Sequence, residues 1–515
     1  MKVVFVLFDS LNRSAIEPYA RDKVKTPNFA RLAEKAVTFD CHYVGSLPCM
    51  PARRDMHTGR VNFLHRNWGP LEPFDNSGPE IIRKSGGYSH IITDHYHYFH
   101  DGGATYHNRF NSWEVVRGQS VDDWKAVVDP PLDQFERQYH PLQQRPYTKQ
   151  DKINRLYIQQ DDDFPCAQVF SRANEFLDTN CKADNWFLQV ESFDPHEPFF
   201  APSRFRKDHL SGYQGPTLDW PRYAKVAETE DEIDEIRANY AALVAMCDEN
   251  LGRLLDKFDA LDLWKDTALV VTTDHGFLLG EHEWWGKNLA PVYDEIARVP
   301  LMIYHPDQAR LGGERRSALT QVTDLMPTFL DWFGLDCPGE VTGASLSRTL
   351  ETDEKVRDVA IYGYFGAACN ITDGRYTYFR YPEELNAGGL REYTLMPTRN
   401  NRMFHPDELR AASLAPPFDF TKGVPVLEVS PLRTEDGSAA VMDGKFTFQD
   451  TETRLFDTHS DPGQGKPLQD PDTEVRLLRE LERQLALHDA PKAIYHRLGL
   501  AMPTPSADRP PSTLP

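Results

Sequence analysis

Four short apolar runs rich in β-branched residues punctuate the chain: KVVFVLFD from Lys2, WFLQVESF from Trp186, TALVVTTDHG from Thr267 and RVPLMIYHP from Arg298. Each has the length of a strand, and none alternates with polar residues, as expected where both faces of a sheet are covered. Between them lie stretches with apolar residues at helical spacing, such as TPNFARLAEKAV and DEIRANYAALVAMCDENLGRLLDKF. This succession predicts an α/β fold with a large, mostly parallel sheet covered by helices. Ligands of such sheets bind beyond the carboxyl ends of the strands. Asp9 and the pair Asp274-His275 stand at two of those ends.

After about residue 370 the pattern changes. RYTYFRYP and KFTFQDTETRLFD alternate, and the charged helical segment TEVRLLRELERQLALHD follows. The reading is a catalytic α/β domain over 1–370, a smaller C-terminal subdomain with an antiparallel sheet and a packing helix over 371–500, and a proline-rich tail over 501–515 that is extended or disordered. There is no internal repeat.

At 515 residues, with 40% hydrophobic and 26% charged residues, the chain has the makeup of a folded protein large enough to bury a deep site. Its formal net charge of −21 argues against sequence-independent binding to nucleic acid or to an anionic membrane. An anionic substrate would need a local cationic pocket. The first apolar run is broken at Asp9, too early for a secretory segment, and no run approaches the ~18 residues of a membrane span. Seven cysteines without a CxxC pair suggest neither a disulfide framework nor a thiolate zinc site. A reducing cytoplasm fits that usage.

Cys49 lies in SLPCMPARRDMHTGR. Alone, a single cysteine reads as a small buried hydrophobe. A phosphatase thiolate would want an arginine six positions on, where Asp55 stands. What remains is C-x-P-x-R, with Arg53 two residues after Pro51. Together with TPNFARLAEKAVTF, TTDHGFLLGEHEWWGK, RVPLMIYHP and VTDLMPTFLDWFG in this order, it resembles the sulfatase family over roughly residues 1 to 350. Beyond that the likeness is loose, through RLFDTHSDP.

The resemblance implies an alkaline phosphatase-like fold and a hydrolase of sulfate monoesters, with Cys49 oxidised to formylglycine by a formylglycine-generating enzyme. The hydrated aldehyde offers one hydroxyl as nucleophile and a second to expel the bound oxyanion. By resemblance Asp9, Asp274, His275 and the residue at 49 hold one divalent cation, with Ca2+ expected and Mn2+ as the alternative. The chain departs from many sulfatases at Ser10, where a second acidic residue is usual, and at His275, where asparagine is usual. An Asp-His pair is closer to the related phosphonate monoester hydrolases, so cleavage of phosphonate monoesters or phosphodiesters is the alternative activity. A non-catalytic anion-binding relative is a third reading, opposed by the complete residue set.

In GGYSHIITDHYHYFHDGG, His95 and His97 fall where the family has lysine and histidine, and two residues apart in a strand they share a face. His97 is then the base that collapses the intermediate. His95, if protonated, touches the oxyanion. His90 and His100 read as solvated or core histidines. His196 in FDPHEPF and Lys287 in GEHEWWGK would meet the sulfuryl and leaving-group oxygens, one as general acid. Arg53 would hold the diol. Asp55, Asp194 and His282 read as supporting residues. The substrate's alcohol part has no readable code, and a homo-oligomer is plausible.

Overall fold

The computed structural model describes residues 1–20, 24–144, 148–385, 389–431 and 448–502. The proline-rich tail from residue 503 and the first residues of KFTFQDTETRLFD therefore lie outside the described residues. In chain order the strands that build the two larger sheets are β1 (Lys2–Phe8), β2 (Val37–Phe39), β3 (Ser46–Leu47), β4 (Tyr88–Thr93), β5 (Ser112–Val115), β6 (Trp186–Ser192), β7 (Thr267–Thr273), β8 (Leu301–Tyr304), β9 (Arg315–Arg316), β10 (Ala360–Tyr364), β11 (Cys369–Thr372), β12 (Tyr376–Arg380) and β13 (Arg454–Asp457). The helices that matter below are α1 (Pro27–Lys35), α2 (Cys49–Thr58), α3 (Gly78–Lys84), α4 (Pro165–Asn180), α5 (Glu230–Ala260), α6 (Leu325–Trp332) and α7 (Pro471–Leu487).

The main sheet runs β9-β2-β8-β7-β1-β6-β4-β5. Its right half is wholly parallel, and β8 alone runs against its two neighbours. β1 is buried along its whole length, and its side chains divide between two cores. Val4, Val6 and Phe8 pack with residues of α1, α4 and α5, whereas Val3, Phe5 and Leu7 pack with Met50, Met56, Ile82 and Leu325 from α2, α3 and α6. The uninterrupted apolar run is thus the signature of a strand with a helical layer on either side. α5 opens with a capping box in which Thr229 and Glu232 satisfy each other's backbone N–H groups.

The second sheet runs β13-β12-β11-β10-β3 and is antiparallel except at β3, which joins β10 in parallel. Its far face is covered by α7 through Leu477, Leu481 and Leu485. Four strands of this sheet come from residue 360 onward, but its edge strand β3 is Ser46–Leu47, so the segment leading into the site belongs to it. No helix among the described residues is long and apolar enough to cross a membrane. All seven cysteines are free thiols.

Candidate active site

Register explains why the site forms. Phe8 sits level with Thr273 of β7 and Ser192 of β6, so the next residues, Asp9 and Asp274, emerge side by side at the carboxyl ends of neighbouring strands. Glu191 of β6 is level with Thr93 of β4, so the loops carrying His196 and His95 leave the sheet together. Cys49 is the first residue of α2, and Arg53 lies one turn on, on the same face of the helix.

The Arg53 guanidinium is the hub. It donates from Nε to Glu191 Oε1 at 2.7 Å, from Nη1 to Asp274 Oδ2 at 2.6 Å and to the Cys49 carbonyl at 3.0 Å, and from Nη2 to Asp9 Oδ2 at 3.0 Å. Glu191 also accepts from Tyr98 Oη and Gln189 Nε2, both at 2.9 Å. Lys287 Nζ donates to Ser10 Oγ at 2.7 Å and lies 3.8 Å from Asp9 Oδ1 and 3.6 Å from Glu197 Oε2. All of these side chains are buried. The resemblance has Arg53 hold the diol formed at residue 49. In the structure it meets Cys49 only at the carbonyl and otherwise ties the carboxylates together.

Asp9, Cys49, Asp274 and His275 each offer one ligand atom, all within 4.8 Å of one another. His275 Nδ1 lies 3.0 Å from the Gly276 carbonyl, which fixes the tautomer with its proton there and leaves the Nε2 lone pair facing Cys49 Sγ at 3.2 Å and Asp274 Oδ2 at 3.4 Å. Ser10 stands apart from this set. Its hydroxyl, 2.8 Å from Asp9 Oδ1, is engaged between Lys287 and Asp9.

The residues present fit a divalent cation on charge as well as on geometry. Asp9, Asp274, Glu191 and Glu197 face only Arg53 and Lys287 within these contacts, an excess of two negative charges in a buried cluster. Without a cation the cluster relieves itself by holding a proton: burial first, then the Asp9 charge, push the Asp274 carboxyl up to about 8. Burial, reinforced by Asp9, raises the Cys49 thiol well above its ordinary value, so the plain cysteine is a thiol and not a thiolate nucleophile.

Above Cys49 opens a cavity of about 220 Å³. Cys49, His97, His196, Glu197 and Lys287 line it together with the aromatic residues Trp68, Tyr96, Trp220 and Tyr223. His196 Nδ1 is bonded to the Glu197 carbonyl, and its ring lies on Phe193 with centroids 4.0 Å apart. Burial drives the imidazoles of His95, His97 and His196 below their ordinary value, so all three rings are neutral at rest. Burial opposes the charge on Lys287, but the neighbouring carboxylates, Glu197 and Asp9 among them, outweigh it and raise the lysine.

His95 and His97 do come together, with ring centroids 5.0 Å apart, but not on a strand face. β4 ends at Thr93, and the pair lies at the start of a 3-10 turn over Tyr96–Phe99, with His95 as its N-cap and His97 within it. His97 faces the cavity, whereas His95 lies below it with Nδ1 3.9 Å from Asp9 Oδ2. His100, read as a core or solvated residue, lines the cavity. Asp55 accepts from Ser46 N, Ser46 Oγ and Asn62 Nδ2 and so holds the approach to Cys49. His282 stacks on Tyr293 at 3.5 Å, away from the cavity. Asp194 accepts from Gln119 Nε2 at 2.8 Å.

Glu191 and Glu197 escaped the sequence reading. The signal for Glu191 was a lone acid inside an apolar strand, and for Glu197 its place next to His196.

The sulfatase family model matches residues 2–335. The N-acetylglucosamine-6-O-sulfatase of Bacteroides thetaiotaomicron is 26% identical over 434 residues, covering 70% of this chain and 74% of the relative. Among solved structures, the phosphonate monoester hydrolase of Agrobacterium radiobacter superposes with a TM-score of 0.64 at 18% identity, covering 94% of this chain and 95% of that one. BT4656, solved with its substrate D-glucosamine-2-N,6-O-disulfate, gives 0.63 at 17% identity, covering 96% and 99%. With an alkaline phosphatase-like fold and a family match over most of its length, the chain belongs to the sulfatase family and is a sulfuric ester hydrolase.

Proposed function

We propose that Cys49 works as formylglycine, installed by a formylglycine-generating enzyme that reads Cys49-Met50-Pro51-Ala52-Arg53, and that the enzyme cleaves sulfate monoesters with one divalent cation held by Asp9, Asp274 and His275. The observation that carries this reading is the convergence of those three donors on Cys49 Sγ in a buried cluster with two uncompensated negative charges. The aldehyde hydrate supplies a hydroxyl nucleophile, which an unactivated thiol does not. A divalent cation held by Asp9, Asp274 and His275 would supply Lewis-acid polarisation of the reacting oxygens.

The chain's own residues then divide the remaining tasks. Arg53 keeps Asp9 and Asp274 parallel and spaced for ligation. Lys287, cationic beside Cys49, balances the sulfuryl oxygens. His196, with its proton on Nδ1 toward the Glu197 carbonyl, keeps a lone pair at Nε2 and can deliver a proton to the leaving oxygen only after taking one up there. His97 is neutral and so is suited to take the proton whose loss ends the covalent stage.

Ca2+ prefers six to eight oxygen donors, and an imidazole in this ligand set favours Mn2+ instead. The same residue supports a second reading, a phosphonate monoester or phosphodiester hydrolase, since His275 and the engaged Ser10 are two of this chain's departures from the usual sulfatase residues.

Mass spectrometry of the peptide containing residue 49, from an active preparation, tests the first claim. The expected species is formylglycine, with activity abolished in Cys49→Ala and by chelation, and restored best by Mn2+. Full activity from protein carrying only cysteine would overturn it. The ratio of kcat/KM on sulfate and phosphonate esters of one phenol decides between the two readings. A preference above tenfold for the phosphonate, about 1.4 kcal/mol, would install the second.

A further inference from the structure

Glu197 lines the cavity beside Cys49, is 1% exposed, and uses its two carboxylate oxygens unequally. Oε1 accepts from the Tyr223 hydroxyl. Oε2 has no hydrogen-bond partner among the described residues. It is 3.6 Å from Lys287 Nζ, which places it in ion-pair range but beyond hydrogen-bond distance, and 3.4 Å from His196 Nδ1, which is bonded to the Glu197 carbonyl instead. A buried acceptor left open at the wall of a binding cavity is unfavourable until something donates to it. The aromatic walls Trp68, Tyr96, Trp220 and Tyr223 offer no carboxylate that would compete for that donor.

We infer that Glu197 is a specificity-determining residue that reads a hydrogen-bond donor on the alcohol part of the substrate, a hydroxyl or an ammonium group adjacent to the esterified carbon. The inference rests on the sulfatase reading of the same site. Glu197 Oε2 lies within 3.6 Å of both groups assigned to the leaving oxygen, His196 and Lys287. A donor reaching Oε2 is therefore borne on the carbon adjacent to the esterified one rather than several atoms away. A carboxylate pays little to hold such a donor and rejects an analogue that lacks it, because its buried oxygen then stays unpaired.

Three sulfate esters of closely similar shape test this: cyclohexyl sulfate, trans-2-hydroxycyclohexyl sulfate and trans-2-aminocyclohexyl sulfate, assayed by sulfate release with formylglycine-bearing wild-type protein and with Glu197→Gln. The expected result is a kcat/KM at least tenfold higher for a donor-bearing ester than for cyclohexyl sulfate, with the preferred member identifying hydroxyl or ammonium as the group read. In Glu197→Gln that ratio falls severalfold, further for the ammonium than for the hydroxyl. A residue that merely orients His196 or Lys287 would slow all three esters alike and leave the ratio unmoved, and that outcome overturns the inference. Equal wild-type rates on the three esters overturn it without any variant. If none of the three releases sulfate although residue 49 is formylglycine, the sulfatase reading falls, and the inference falls with it.

Discussion

Lys287 reaches Asp9 through Ser10: its Nζ donates to Ser10 Oγ at 2.7 Å, and that hydroxyl donates onward to Asp9 Oδ1 at 2.8 Å, while the direct Lys287 to Asp9 separation is 3.8 Å. Ser10 holds this place with a positive φ of 61°, and its backbone N–H donates to Asp274 Oδ1 at 3.1 Å. A single hydroxyl therefore fixes the ammonium relative to the carboxylate. Hydrogen bonds to charged groups contribute about 1.5–3 kcal/mol. Ser10→Ala is expected to lower kcat/KM by roughly tenfold or more, with a smaller change in melting temperature, measured side by side with wild type. Unchanged kinetics would show that the direct ion pair suffices.

Arg53 compensates three buried carboxylates at once. Removing one member of a buried ionic cluster costs about 3–5 kcal/mol, because the partners remain buried and unpaired. Arg53→Ala should therefore lower unfolding stability by that amount in urea titration. Arg53→Lys should recover little, since an ammonium cannot place donors on Glu191, Asp274 and Asp9 in one plane. Recovery to near wild-type stability in the lysine variant would contradict the planar bridge.

Gly276 follows His275 and has no room for a side chain. A Cβ there would lie 1.9 Å from the Glu295 carbonyl oxygen and 2.8 Å from Asn12 Oδ1. Asn12 Oδ1 also accepts from Phe277 N at 2.7 Å, so the neighbour cannot give way freely. Gly276→Ala should displace the Asp274-His275 turn, with weaker Mn2+ binding in calorimetry and a melting temperature lowered by several degrees. Retention of wild-type affinity would mean that the turn absorbs the methyl group.

His57, on α2 two turns beyond Cys49, is buried with its ring edge-on to Tyr106 and Phe110 and Nδ1 2.8 Å from Ser77 Oγ. Burial pushes its imidazole down to about 3. The folded value lies below the unfolded value of about 6.5, so the unfolded chain binds the proton first. The stability His57 contributes is complete above pH 6.5 and is lost as pH falls toward 3, at up to about 1.4 kcal/mol per unit. Buried carboxyls such as Asp55, raised to about 7 by burial, act in the opposite sense, so the wild-type curve alone is a mixture. The difference between wild type and His57→Leu isolates the histidine. Its stability advantage, or deficit, should shift against wild type by about 2 kcal/mol between pH 7 and pH 5. A difference independent of pH would show that His57 is protonated alike in both states.

Much of the sheet was legible because its strands are covered on both faces, and a run such as Lys2–Phe8 can then be written in apolar residues alone. Asp9 and Asp274 were legible for the same reason, as the first charges after such runs. Glu191 was not, because what makes it functional is Arg53, 138 positions away in sequence. The pairing of His95 with His97 was anticipated from a strand period, yet it arises from a turn, which the crowded histidines and tyrosines did not announce. The cavity walls were beyond reach for a different reason. Trp68, Trp220 and Asn401 come from separate loops far apart in sequence, while the docking of the second sheet is fixed through Ser46–Leu47.

That docking has a consequence for how the chain can be divided. Ser46–Leu47 leads directly into Cys49, yet it is zipped to Gly363 and Tyr364, beyond the segment shared with the family model. The nucleophile's approach is thus stitched to one sheet and its helix to the other. A chain cut after residue 335 would lose β10 and leave that lead-in without its neighbour, so the catalytic segment is not a portable module. The two sheets should melt as one cooperative unit, and exchanging the C-terminal part for that of a relative would alter the position of residue 49 itself.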